Sequence, residues 1–268
     1  MVNNFSNLWN FFKGHIRCVN LKSRKDRKRD SQKIFNEYDI PVNYYTAIKH
    51  PNGGEQGCFE SHINMIREAY YAGAERVLIF EDDITPTDYL TIKHLSKAIK
   101  FMTKHNDWDI FYLGALPNTK KHRSESTNFN GIYKIKGICT HSYIVNRRAM
   151  SKLIHLKYRG VPIDYYFINN LKHSYALYPT LFYQGLSPSD IVSGGNWWSS
   201  YATKSSVSTF YRCNEAYAYY VKYPLYMVVP LIILIIAWFV TGMNYRYHVS
   251  SLIGLVLALF LFGAATWN

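Results

Sequence analysis

Three consecutive carboxylates, Glu81-Asp82-Asp83, directly follow the β-rich run Arg76–Phe80, which reads RVLIF. Adjacent like charges repel unless a cation neutralises them, and hard oxygen donors suit Mg²⁺ or Mn²⁺. In an extended segment alternate side chains share a face, so Glu81 and Asp83 are expected to point together at one ion, or at one ion and a ribose hydroxyl. Asp82 is expected to point elsewhere. The same residues would also serve as a solvated acidic turn, with Asp83 or Thr85 capping a helix that starts at Pro86. Taken alone, the triplet supports both readings.

The elements that must position it alternate along the chain. Short β-rich runs at Ile16–Leu21, Val42–Ile48, Arg76–Phe80, Asp109–Leu113, Gly131–Lys136, Thr140–Val145 and Leu177–Gln184 are interleaved with helical patterns. The helices are expected over about Lys25–Tyr38, Ser61–Ala72, Pro86–Lys104 and Arg147–Lys157, and the charge-rich stretch Pro117–Asn130 reads as a surface loop. This alternation predicts an α/β fold with a mostly parallel sheet. In such open sheets ligands bind beyond the carboxyl ends of the strands, which is where the triplet falls.

Composition excludes other classes. A chain of 268 residues that is 48% hydrophobic is too apolar for a disordered protein. Four cysteines, Cys18, Cys58, Cys139 and Cys213, form no CxxC pair, which excludes a zinc ribbon or a disulfide-dense scaffold and favours a reducing compartment. The amino terminus has neither the basic nor the apolar region of a signal peptide, and the Asn4-Phe5-Ser6 sequon reads as a chance match.

Net charge is +13 but uneven: beyond Lys222 the only charged residue is Arg246. Two apolar stretches, about 224–240 and 249–267, are each long enough as helices to span a hydrocarbon core of roughly 30 Å. The expected organisation is a catalytic domain over 1–212, a linker over 213–222 and a two-helix transmembrane hairpin over 223–268. Tyr219, Tyr220, Tyr223, Tyr226, Tyr245, Tyr247 and Trp267 fit interfacial belts, and the basic excess ahead of the first span puts the large domain on the cytosolic side of a multi-pass membrane protein.

Further motifs run in order through residues 16 to 191. They are Val19-Asn20-Leu21 with Arg24 and Asp26-Arg27; Glu55-Gln56-Gly57-Cys58 with Ser61-His62; Leu78 to Asp83; Trp108-Asp109 with Leu113-Gly114; Thr140 to Tyr143; Pro162-Ile163-Asp164; and Ser189-Asp190-Ile191. In this series the chain resembles glycosyltransferase family 25, the group of lipooligosaccharide and procollagen galactosyltransferases. The resemblance implies a GT-A type, Rossmann-like fold, a UDP-sugar donor, galactose foremost, and Mn²⁺ or Mg²⁺ held by Glu81 and Asp83. It further implies that Asn20, Leu21, Arg24, Arg27, Ser61, His62 and Asp82 serve the nucleotide-sugar site. Ser61 and His62 are expected to open a helix whose free amides meet the donor, and Arg24 and Arg27 to contact phosphate or base. Inverting transfer requires a carboxylate base, for which Asp164 is preferred and Asp190 is the alternative; an N-cap role for Asp164 is the structural reading of the same residue. The acceptor expected of a membrane-placed enzyme is a glycan, a lipid-linked sugar or a protein. Two rivals remain at this level. One is a catalytically silent, membrane-tethered glycan- or protein-binding module with the same fold. The other is nucleic-acid binding, disfavoured because the basic residues concentrate in one polar helix with no recognised motif around it.

Overall fold

A computed structural model describes residues 5–117 and 124–185. Asp190, residues 186–212, the linker and both apolar stretches of the tail lie outside the described residues, and within them no helix is long and apolar enough to cross a membrane.

The elements in chain order are α1 (Ser6–Trp9), β1 (Ile16–Leu21), α2 (Lys25–Glu37), β2 (Asn43–Ala47), α3 (Gly54–Tyr71), β3 (Arg76–Glu81), β4 (Ile84–Pro86) and α4 (Ile92–Lys104). They continue with β5 (Ile110–Pro117), β6 (Glu125–Ser126), β7 (Ile132–Lys134), β8 (Gly137–Asn146), α5 (Arg147–Leu153), α6 (Ile163–Asn170), β9 (Ser174–Leu177) and β10 (Phe182–Gln184). Eight strands form one sheet in the order β2-β1-β3-β8-β5-β9-β7-β6, and β4 pairs with β10 in a separate antiparallel ribbon. Following the ladders, only β8 and β7 run against the other six strands, so the sheet is mixed but mostly parallel.

Both faces are covered, which is why β3 reads as an unbroken apolar run. Leu78 and Phe80 join Ile16, Phe35, Leu95 and Phe101 on the face packed by α2 and α4. Val77 and Ile79 join Ile63, Ile66, Met150 and Phe167 on the face packed by α3, α5 and α6. Because β1 connects outward to β2 on one side and has β3 on the other, the strand order switches direction at β1 and β3, and a crevice opens beyond their carboxyl ends.

Two helices start elsewhere than the sequence pattern suggests. The helix expected from Pro86 begins at Ile92, where the Thr91 side chain accepts the His94 amide as N-cap. Thr85 and Pro86 instead belong to β4, with Thr85 registered opposite Tyr183 of β10. The helix expected from Ser61 begins at Gly54, seven residues early. Gly54 and Gly57 look like turn residues locally, but a Cβ at Gly57 would lie 3.0 Å from His50 Cβ, so tertiary packing selects glycine inside the helix.

Candidate functional site

An open cleft beyond β1, β2 and β3 is lined by Arg27, His50, Cys58, His62 and the whole acidic triplet among others. Its floor comes from β1 and β3, whose parallel register sets Val19 beside Glu81.

The extended geometry assumed for the triplet ends at Glu81, where β3 stops and the chain turns. Glu81 and Asp83 therefore do not form a simple same-face pair with Asp82 turned away, because Asp82 and Asp83 both reach the same guanidinium. Arg27 Nη1 lies 3.1 Å from Asp82 Oδ1 and 3.5 Å from Asp83 Oδ2. Asn20, buried at the end of β1, donates from Nδ2 to Asp82 Oδ2 at 2.6 Å and to the Arg24 carbonyl at 3.0 Å. Burial pushes the Asp82 carboxyl up, against the pull of Asn20 and Arg27. Asp83 is pushed up to about 7 by burial and then by the charge of Glu81, with Arg27 opposing. Its Oδ2 accepts a 3.4 Å bond from Gln184, while its Oδ1 is buried without a hydrogen-bond partner.

Arg24 pairs with Asp26 at 3.0 Å, and Arg27 faces carboxylates, so in this structure both arginines engage acids rather than an open anion site. Leu21 lines the cleft mouth. Ser61 and His62 lie in the middle of α3, not at its opening; Ser61 Oγ donates to the Gly57 carbonyl at 2.6 Å, and the amides of the helix start belong to residues around Gly54. His62 is fully buried, with Nδ1 2.7 Å from Tyr143 Oη and Nε2 3.5 Å from Glu81 Oε1. Cys58, one turn earlier on the same helix, completes a group with His62 and Glu81 whose candidate donor atoms all lie within 4.8 Å of one another. Nothing adjacent to Cys58 in the sequence marks this group, because its companions lie four residues along α3 and at the end of β3. The Cys58 thiol is pushed up by burial, then by Glu81, Asp164 and Asp83.

Asp164 sits in the first turn of α6 but does not cap it; Pro162 holds the N-cap position. Its Oδ2 accepts the Cys139 amide at 3.1 Å, where Cys139 has a φ of 67°. Burial pushes the Cys139 thiol up to about 12, and the charges of Asp164, Glu81 and Asp83 push it the same way. His141 is a buried structural group that donates from Nε2 to the Phe182 carbonyl at 3.0 Å.

A buried, unsatisfied Asp83 oxygen beside Glu81 is a donor set that fits a hard divalent cation. Arg27 supplies the countercharge that the protein itself provides.

Among solved structures, the chain is similar to a glycosyltransferase involved in the glycosylation of the major capsid of PBCV-1, with a TM-score of 0.40, 13% identity, and coverage of 65% of this chain and 94% of that one. UDP-glucose pyrophosphorylase complexed with UDP-glucose aligns with a TM-score of 0.37 at 10% identity, covering 66% and 78% of the two chains. Among curated proteins, the probable inactive glycosyltransferase 25 family member 3 of Rattus norvegicus is 39% identical over 78 residues, 29% of this chain and 13% of that protein. The glycosyltransferase 25 family member of Aedes aegypti is 24% identical over 127 residues, 37% of this chain and 21% of its own length. The matched segments thus span under a quarter of these relatives. Residues 52–167, which include α3, the acidic triplet and Asp164, match the family model described as glycosyltransferase family 25 (LPS biosynthesis protein).

Proposed function

We propose that the chain is a glycosyltransferase that moves a hexose, galactose foremost, from a UDP-sugar to the hydroxyl of a glycan, lipid-linked or protein acceptor with inversion. The observation that carries this reading is the acidic triplet at the point where β1 and β3 diverge, with Asp83 buried and one oxygen unsatisfied. A divalent cation, Mn²⁺ or Mg²⁺, held by Glu81 and Asp83 would supply positive charge for the departing diphosphate.

The protein's own groups divide the remaining tasks. Asn20 and Arg27 fix Asp82 and so hold the turn after β3 in shape. Asp164, oriented by the Cys139 amide, takes the proton from the acceptor hydroxyl as that oxygen attacks the anomeric carbon opposite the diphosphate. The two apolar stretches of the tail anchor the domain to a bilayer with the cleft on the cytosolic side, which favours a membrane-borne acceptor.

One finding favours a second reading: a rodent relative bears the word inactive in its name, which fits a silent binding module on the same fold. The full chain, incubated with a panel of UDP- and GDP-sugars with Mn²⁺ present or chelated, separates the two. Metal-dependent release of UDP from one donor, lost in Asp83→Ala, is expected. No release from any donor, together with no metal-dependent thermal shift by UDP, would establish the silent module instead.

A further inference from the structure

The donor atoms that converge on His62 are not those of an all-oxygen cation site. Cys58 and His62 are four residues apart on α3, and therefore share a helix face, while Glu81 meets them from the end of β3. We propose that Cys58, His62 and Glu81 form a binding site for a borderline-soft divalent cation of the Zn²⁺ or Co²⁺ type, with its remaining position open to the cleft.

Three observations support this. First, the three candidate ligand atoms already lie within 4.8 Å of one another, and contraction by roughly 1 Å brings them to tetrahedral ligand spacing around a Zn²⁺ bound at 2.0–2.3 Å. Second, His62 is 0% exposed and its Nε2 makes no hydrogen bond, standing instead at ion-pair distance, 3.5 Å, from Glu81 Oε1. Third, the other ring nitrogen is held by the Tyr143 hydroxyl at 2.7 Å. Metal-ligating histidines have this arrangement: one nitrogen is pinned by a neighbour, and that fixes the tautomer and aims the other at the ion. With Nδ1–H donating to Tyr143 Oη, Nε2 presents its lone pair toward Cys58 and Glu81.

The donor set separates this site from the hard-cation site of the proposed transfer reaction. A thiolate and an imidazole select Zn²⁺ or Co²⁺ over Mg²⁺ or Mn²⁺, whereas Asp83 and its neighbours offer oxygen alone. Glu81 belongs to both sets, so the two ions compete for one carboxylate. A soft cation on Cys58 and His62 thereby withdraws Glu81 from the hard-cation site and acts as an inhibitor of whatever that site does. Binding exchanges the thiol proton of Cys58 for a metal–sulfur bond and releases the proton to solvent.

The test uses the purified full chain titrated with Co²⁺ in the absence of any sugar donor. A thiolate-to-cobalt charge-transfer band is expected in the near ultraviolet, saturating at one ion per chain and bleached by Zn²⁺. Cys58→Ser, which preserves side-chain shape, should abolish the band while leaving the thermal transition unchanged. Tyr143→Phe should keep the band but weaken affinity by about 10–100-fold, the usual effect of removing the group that orients a ligand histidine. If Cys58→Ser proves unstable, His62→Gln serves instead and should lose tight binding. Absence of the band in natively folded protein, or its persistence in Cys58→Ser, would overturn the proposal. The readout needs no transfer activity, so a chain that binds Co²⁺ in this way but hydrolyses no donor separates failure of the enzymatic reading from failure of this one.

Discussion

Replacing Asp109 by Asn should cost about 3 kcal/mol of stability, and the reason lies in the two sides of its carboxylate. Asp109 is fully buried just ahead of β5, with Oδ2 accepting the backbone amides of Lys172 and His173, each at 3.2 Å. Its Oδ1 accepts Arg148 Nε at 3.0 Å and Lys152 Nζ at 3.3 Å. The Asp109 amide in turn donates to the His173 carbonyl at 2.7 Å, so this residue clamps the parallel β5–β9 pairing. An asparagine has one acceptor and one donor end. Whichever way it turns, an NH₂ faces two donors. If it faces the cations, a salt link is lost that is worth under about 1 kcal/mol, because Arg148 and Lys152 are 46% and 43% exposed. The cationic donors are then also opposed by the amide's own hydrogens, while the two backbone amides keep the asparagine carbonyl as acceptor but lose the charge assistance, worth about 1 kcal/mol for each bond. The sum is about 3 kcal/mol, and the backbone amides carry more of it than the visible ion pairs. Urea denaturation at pH 7 should move its midpoint down by about 1.5 M with an unchanged slope. The acid limb provides a second check. Burial pushes the Asp109 carboxyl up, but the His173 amide, Lys152 and Arg148 together hold it below its ordinary value. Its stabilisation is therefore complete above the ordinary aspartate value and lost as pH falls through the lower folded value, so the variant should show a flatter acid limb than the parent. A loss under 0.5 kcal/mol, with identical acid limbs, would refute the clamp.

Two other perturbations probe the cleft. Arg27→Met leaves Asp82 and Asp83 without their shared guanidinium and should cost about 3 kcal/mol, as expected for removing one partner of a buried pair. Asp83 already sits near 7, so in the folded state its ionised form is penalised above that value and its neutral form relieves the strain below it; in chelator, the variant's loss should be larger at pH 8 than at pH 6, and equal losses would exclude the coupling. Asp164→Asn should lower transfer by about 10²–10⁴-fold while leaving UDP-sugar binding intact, measured as single-turnover rate against equilibrium affinity; parity in rate would remove Asp164 from the proton-transfer role.

The alternating pattern, the buried run of β3 and the position of the acidic triplet at its end were legible in the chain because each is a local property. Apolar periodicity over a handful of residues specifies a strand covered on both faces, and the run Glu81-Asp82-Asp83 is visible as a local concentration of negative charge. Where a local signal has two uses the chain misleads. Thr85-Pro86 has the composition of a helix start yet pairs with β10, since the ribbon supplies Tyr183 and Phe182 as partners from far along the chain. Gly57 looks like a turn residue yet sits in α3, since His50 occupies the space a side chain would need. The direction of each carboxylate was likewise decided by tertiary structure: β3 ends at Glu81, and the reach of Arg27 from α2 draws Asp82 and Asp83 together. The meeting of Cys58, His62 and Glu81 joins a helix face to a strand end, and Tyr143 of β8, on the sheet face that α3 packs, holds the imidazole. The sequence by itself determined which residues can do chemistry and on which kind of element they lie. Their convergence was set by helix packing and sheet order, because contacts between distant segments depend on how whole faces are buried and not on the order of neighbours along the chain.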